Sequence, residues 1–336
     1  MSCVAEHGTS RVLVAGASGY AGALCAVLVD RHPHLELSGV TSRSYTGQRL
    51  DELFPHYRVP MVLEELDLDR HTDGIDAAIV AYPHGAAAET VAALRERGIK
   101  VVDLSADFRL RDLKTYEEWY VPHTAPELLD GAVYGLPERY RGQLRGADLV
   151  ANPGCFPTAA ILALAPLAPH LADAVIDAKT GVSGAGRAAT DKTHFVTVTE
   201  NVTPYGVGHH RHMPEIDQEL AAAGAIGVTA AFTAHLLPLD QGELLSCYAT
   251  LREAVDVHGL YEAAYAGEPF IELVDTAPGV RDVRGTNLCR INVHVDARTQ
   301  KVFVFAAIDN LWKGTSSQAI QNLNLMLGYD ETEGLT

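Results

Sequence analysis

Cys155 stands in the run Asn152-Pro-Gly-Cys-Phe-Pro-Thr158. A short apolar strand is expected over residues 148–151, and an apolar helix from the cysteine through Leu164. The thiol therefore falls at or just before a helix N-terminus, where aligned peptide dipoles and free N–H groups favour a thiolate. Pro157 suits the first turn of that helix. A thiolate can carry an acyl group as a thioester, and a thioester can accept or result from hydride transfer. A second reactive cluster is His209-His-Arg-His-Met-Pro-Glu-Ile216, where three histidines and Arg211 crowd the lead-in to a helix. A general acid or base near a nucleophilic thiol is one use for it, and an exposed loop is another. No matching Cys, Asp or Glu spacing supports a metal. Thr180 to Arg187 reads Thr-Gly-Val-Ser-Gly-Ala-Gly-Arg. Such a loop could hold an anionic substrate group through backbone N–H groups and Arg187, or act as a hinge.

A third candidate lies near the start. Gly16-Ala-Ser-Gly-Tyr-Ala-Gly22 follows an apolar strand and opens a helix. In that context glycines let the backbone approach a pyrophosphate, and the helix N-terminus supplies N–H groups and positive dipole. The spacing G-x-x-G-x-x-G departs from the commoner G-x-G-x-x-G. The end of the next strand reads Thr41-Ser-Arg-Ser44, with no acidic residue to bind a ribose 2′-hydroxyl. Ser42 and Arg43 suit a 2′-phosphate instead, which selects NADP.

The elements that must position these residues divide the chain in two. In the first half strands are expected over 11–15, 35–41, 75–81 and 99–104, alternating with helices over 21–31 and 86–97. Gly98 falls where a left-handed cap belongs. This βαβ order predicts a Rossmann-type parallel sheet. Alternating runs over 228–236, 244–252, 288–296 and 301–308, with helices near 214–223 and 257–266, predict an α+β domain. Its sheet is mixed and mostly antiparallel, with helices on one face. In the 301–308 strand both residue sets are apolar, so cover on both faces is expected. A last helix over 316–327 is assigned back to the first domain. The division is 1–151 with 312–336 for the dinucleotide, and 152–311 for catalysis and oligomerisation.

The composition fits this picture. Of 336 residues 47% are hydrophobic, and 26 Lys and Arg face 43 Asp and Glu, for a net charge of −17. That acidity argues against nucleic-acid binding and against docking on an anionic membrane. Residues 12–29 carry no charge, but Gly16, Ser18, Gly19 and Gly22 break them into strand, turn and helix rather than a membrane span. No targeting segment is read. Five isolated cysteines, at 3, 25, 155, 247 and 289, contain no C-x-x-C pair and fit a reducing cytoplasm.

Taken together, the motifs become specific. The glycine turn, Pro83-His-Gly85, Asp103-Leu-Ser-Ala-Asp-Phe-Arg109, Tyr134-Gly-Leu-Pro-Glu138, the Cys155 run and Ser183–Arg187 recur in order with the histidine run and Asp309-Asn-Leu-Trp-Lys-Gly-Thr-Ser-Ser-Gln-Ala319. From Arg11 to about Leu327 the chain resembles the N-acetyl-γ-glutamyl-phosphate reductases of arginine biosynthesis, within the aspartate-semialdehyde dehydrogenase superfamily. The resemblance implies NADPH-dependent reduction of an acyl phosphate to an aldehyde, with Cys155 as nucleophile and His210, or else His212, as acid/base. It implies cofactor contacts from Gly16, Ser18, Gly19, Tyr20, Gly22, Ser42, Arg43, His84, Gly85, Ser183, Gly184 and Asn310, with Lys313 in the same closing segment. Substrate contacts are assigned to Arg109, Asn152, Arg187 and Arg211, on the physical ground that a carboxylate needs cations. No metal is required, and a homodimer or homotetramer is expected. Phe156 stands where the family usually has Tyr, Trp312 where Val is common, and Ser317 where Gly is frequent. Two alternatives stay open: reduction of a carrier-linked aminoadipyl phosphate, and a non-catalytic dinucleotide sensor on the same fold.

Overall fold

The computed structural model describes residues 8–336. Cys3 lies outside the described residues. The chain forms two units: one runs to Asn152 and resumes with Ser316–Thr336, and the other is Pro153–Thr315.

The first unit is built on six parallel strands, β1 (Ser10–Ala15), β2 (Leu35–Thr41), β3 (Ala77–Val80), β4 (Lys100–Asp103), β5 (Val133–Tyr134) and β6 (Leu149–Ala151). Their order is β2-β1-β3-β4-β6-β5, and every pair is parallel. Parallel sheets have both faces covered, so their strands read as continuous apolar runs. Val12–Ala15 and Ala77–Val80 are fully buried for this reason. The helix Tyr20–Asp30 packs on β1 and β2, and Ser317–Leu327 packs on it and on β4. Gln318, Gln321, Asn322 and Asn324 of this last helix are completely buried. Asn322 Nδ2 donates to Gly135 O at 2.8 Å and to Asn152 Oδ1 at 3.0 Å, binding the returning helix to the sheet by polar contacts. The helix stops at Gly328, φ 84°, and Ala88–Glu96 is followed by Gly98, φ 76°; both glycines take the left-handed conformation of a helix end.

The second unit carries a seven-stranded sheet: β7 (Leu171–Thr180), β8 (Thr203–Tyr205), β9 (Ala231–Leu236), β10 (Glu243–Leu251), β11 (Ile271–Leu273), β12 (Cys289–Asp296) and β13 (Lys301–Ile308). The order is β11-β12-β13-β10-β7-β9-β8; β11–β12 and β7–β9 pair parallel and the other four pairs are antiparallel. The four expected runs are β9, β10, β12 and β13. The fifth long strand, β7, has a weak sequence signal because two of its buried positions, Ala174 and Ala178, are alanines and Asp173 and Asp177 interrupt its apolar pattern. Asp177 stands on its other side, paired with Lys179 at 2.7 Å and His235 at 3.1 Å. Helix Cys155–Leu164 packs on β10, β12 and β13, and helix Val257–Tyr265 on β11 and β12. Within one chain the two faces of β13 differ. Val302, Val304 and Ala306 are buried, while Phe303 and Phe305 are only half-buried, beside Tyr248, and Val175 and Val295 are exposed. One chain covers one face of this sheet.

Candidate active site and dinucleotide turn

In the first unit the glycine turn sits at the switch point of the parallel sheet, where β1 leads to β2 on one side and β3 lies on the other. Ligands of open α/β sheets bind at such a point. Thr41 O accepts hydrogen bonds from Gly16 N at 3.0 Å and Ala17 N at 2.9 Å, tying the turn to the end of β2. Gly16 has φ 89°, and a Cβ there would stand 2.6 Å from Ala81 O. At Gly22 a Cβ would collide with Gly16 O. Those two glycines are required by the turn itself. Gly19 differs: it caps the helix without any side-chain hydrogen bond, and a Cβ there would meet nothing within 4 Å. This is open space in front of a helix N-terminus, which fits a pyrophosphate.

Ser42 Oγ donates to Ser18 Oγ at 2.8 Å, so the ends of β1 and β2 share one hydroxyl pair. Arg43 is exposed, with its guanidinium 5.4 Å from the centroid of the Tyr82 ring. Tyr82, at the end of β3, is absent from the sequence reading; an aromatic directly after a buried strand was its only signal. Tyr20 packs edge-on against Phe54. The His84–Gly85 loop is held from beneath. His84 Nδ1 accepts from Ala106 N at 3.0 Å, and Asp107 Oδ1 accepts from Gly85 N at 2.6 Å. Asp107 Oδ2 takes Ala87 N and Ala88 N, so one buried carboxylate fixes the loop and caps the following helix.

Arg109 and Asn152 have structural work. Arg109 is 4% exposed and donates to Asn152 O and Leu104 O, both at 2.7 Å. Asn152 is fully buried. Arg187 is half-buried and Arg211 exposed, both in the second unit.

In that unit Cys155 is the first residue of helix Cys155–Leu164 and is partly exposed, whereas Cys25, Cys247 and Cys289 are buried. Burial pushes the thiols of Cys25 and Cys247 up to about 12, which leaves them inert. Gly154 caps the helix, and its N–H is accepted by Glu215 Oε1 at 2.9 Å. Glu215 is 1% exposed and lies in the first turn of helix Met213–Ala222, so the histidine run is bound across the cysteine turn. Phe156 is 2% exposed, and its ring meets His210 at 5.5 Å and His212 at 5.8 Å. Both histidines thus stand over the residue next to the thiol, while His209 is exposed. Burial first, then Arg211 and His209, lower His210 to about 4, so it is a neutral imidazole. Its Nδ1 accepts from His212 N at 3.2 Å. Gly314 closes the other side: a Cβ there would lie 2.8 Å from the Cβ of Cys155.

Ser183 and Asn310 come together. Asn310 Nδ2 donates to Ser183 Oγ at 3.0 Å, and Asn310 Oδ1 accepts from Gly242 N at 2.7 Å. Gly184 is exposed beside them. Two residues at the thiol have no place in the sequence reading. Glu243 opens β10, and Tyr205 ends β8 with its ring 5.4 Å from that of His210. For Glu243 the available signal was an acidic residue at the head of an apolar strand. Among the described residues no group of three His, Cys, Asp or Glu could hold a metal ion, and no helix is long and apolar enough to cross a membrane.

Residues 11–147 match the semialdehyde dehydrogenase NAD binding domain, and residues 155–310 match the semialdehyde dehydrogenase dimerisation domain. The N-acetyl-gamma-glutamyl-phosphate reductase of Desulforudis audaxviator is 50% identical over 337 residues, 97% of each chain. That of Moorella thermoacetica is 48% identical over 334 residues, 96% of each chain. Among solved structures, aspartate semialdehyde dehydrogenase II from Vibrio cholerae, complexed with ASA, superposes with TM-score 0.71 at 18% identity, covering 95% of this chain and 98% of that one. Aspartate semialdehyde dehydrogenase with NADP from Candida albicans gives 0.70 at 13%, covering 96% and 99%. These two likenesses concern the fold.

Proposed function

The chain belongs to the N-acetyl-gamma-glutamyl-phosphate reductase family of semialdehyde dehydrogenases, and on that premise we propose that it reduces N-acetyl-γ-glutamyl phosphate to N-acetyl-L-glutamate 5-semialdehyde, releasing orthophosphate, in arginine biosynthesis. The observation that carries the reading is the partly exposed Cys155 at a helix start, with the histidine run fastened to its turn by Glu215 and its rings against Phe156. The Cys155 sulfur attacks the acyl carbon, the C–O bond to phosphate breaks, and a thioester remains on the protein. Helix N–H groups at residues 155 and 156 face the developing oxyanion. Gly16, Ser18, Gly19, Tyr20, Gly22, Ser42, Arg43, His84 and Gly85 would hold a dinucleotide, whose chemistry when bound would be hydride supply. Arg43 and Ser42 favour its 2′-phosphorylated form, NADP. His210, neutral at physiological pH, or its neighbour His212 is the acid/base group that exchanges protons with the substrate oxygens. Arg187 and Arg211 hold the substrate's carboxylate. Ser183, Gly184 and Asn310 are proposed as further cofactor contacts, with Asn310 bonded to Ser183.

The half-buried aromatics on the open face of β10 and β13 support assembly through that face. A second copy covers them in a homodimer or a tetramer built from it, in the cytoplasm.

The test runs the reaction backwards. Purified protein, N-acetyl-glutamate semialdehyde and NADP should give NADPH absorbance only when orthophosphate is added. Cys155→Ala should lose this turnover by several orders of magnitude while still binding NADPH. Turnover that survives in Cys155→Ala refutes the nucleophile. Failure of the wild type with this aldehyde, with reduction of a carrier-linked aminoadipyl substrate instead, refutes the substrate.

A further inference from the structure

Glu243 is the first residue of β10, set opposite Thr180 of β7 and Ile308 of β13, and it is completely buried. Neither of its carboxylate oxygens has a hydrogen-bond partner of full geometry. A buried carboxylate in that condition is costly unless it carries a proton or shares one. Its backbone neighbours are fixed: Gly242 N is held by Asn310, and Gln241 Nε2 donates to Asp309 Oδ2 at 3.0 Å. The side chain is therefore anchored by its strand, and the Cys155 thiol lies against it as the neighbour that favours its ionised form.

Three titratable groups face this carboxyl: Cys155, Asp309 and Tyr205. Asp309 accepts from the backbone N–H groups of Gly285, Leu311 and Trp312, with Arg284 beyond it. Burial raises Asp309 and those bonds offset it only in part; charge on Asp309 opposes charge on Glu243. Tyr205 is held neutral by burial, then by Cys155 and Glu243. Burial first, then Asp309, raises Glu243 to about 8.

We propose that Glu243 and Cys155 form a proton-sharing pair, in which Glu243 takes the thiol proton as Cys155 attacks its acyl substrate and returns it when the aldehyde departs. The proposal rests on Cys155 being the nucleophile. In the first half the S–H bond breaks, an O–H bond forms on Glu243, and the sulfur electron pair makes the C–S bond as the pair of the C–O bond leaves with orthophosphate. Glu243 is then neutral, which removes one anion from beside the carbon that must receive a hydride. After reduction the alkoxide re-forms its carbonyl, the C–S bond breaks with its pair returning to sulfur, and the thiolate recovers the proton from Glu243. Two interacting groups of this kind lose their protons in two steps that belong to the pair.

Iodoacetamide alkylation of Cys155, followed by peptide mapping between pH 6 and 10, reads this directly. Wild type should show two rises separated by a plateau. Glu243→Gln, which keeps the shape and removes the ionisation, should show one rise that completes at lower pH. Glu243→Asp should keep two. A single rise in wild type that superimposes on Glu243→Gln overturns the pair. A second measurement needs no variant. Alkylating Cys155 in wild type at pH 8 removes the thiol, and the infrared difference spectrum should gain a protonated-carboxyl stretch; no change in that band also overturns the pair. Alkylation that leaves turnover intact refutes the nucleophile instead, and so the two readings fail separately.

Discussion

Glu215→Ala isolates the contact that fastens the histidine run to the cysteine turn. Glu215 Oε1 accepts from Gly154 N at 2.9 Å, and the carboxylate is 1% exposed. Removing it strands a buried backbone N–H at the start of the Cys155 helix, which costs about 1–3 kcal/mol, and a bond to a charged group lies at the upper end of that range. We take about 2.5 kcal/mol. For a unit the size of Pro153–Thr315, that lowers the melting temperature by roughly 5–10 °C, at about 2–4 °C per kcal/mol. Glu215→Gln keeps an acceptor and loses only the charge, so it should lose about half as much. Calorimetry on both variants gives the shifts. Steady-state rates should fall in kcat, since the turn that presents the thiol loosens, while NADPH affinity stays put. An alanine variant that melts within about 1 °C of wild type, with unchanged kcat, refutes the idea that this carboxylate holds the turn.

Arg43→Asp should weaken NADPH binding about tenfold or more while leaving NADH nearly unaffected, because a charge-assisted bond to a phosphate is lost and a repulsion gained; fluorescence titration with both dinucleotides checks it, and equal losses count against Arg43. His210 is lowered to about 4 in the folded chain from 6.5, so the unfolded chain binds the extra proton first. Its contribution to stability is complete above pH 6.5 and is lost as pH falls toward 4. Denaturant titrations of wild type and His210→Phe should therefore diverge across that window, and parallel curves exclude His210 as the cause.

Much of the first unit was legible because a parallel sheet buried on both faces leaves uninterrupted apolar runs, and glycines punctuate them. Gly16 and Gly22 could be read from spacing since the turn admits no side chain there. Strand β7 was harder: Ala174 and Ala178 flank Ile176 on its inward side, alanine signals helix as readily as strand, and its acidic residues resemble a loop. In the site, residues inside glycine-rich or histidine-rich runs were visible as candidates, but their partners were not. Glu243 and Tyr205 come from β10 and β8, which β7 and β9 separate in the sheet, and no local rule sets that order. Arg109 looked like a free cation for substrate; only the fold shows its donors turned to Leu104 and Asn152 carbonyls.

The return of residues 316–336 to the first unit sets an order of assembly during synthesis. Pro153–Thr315 is continuous in the chain and can close as soon as it has been made. The earlier unit, although translated first, lacks the helix whose Asn322 binds Gly135 and Asn152. Until that helix arrives, the face of the parallel sheet it covers stays open. The half translated first therefore matures last, and a chain truncated after Thr315 would have all of the second unit and an unfinished first one.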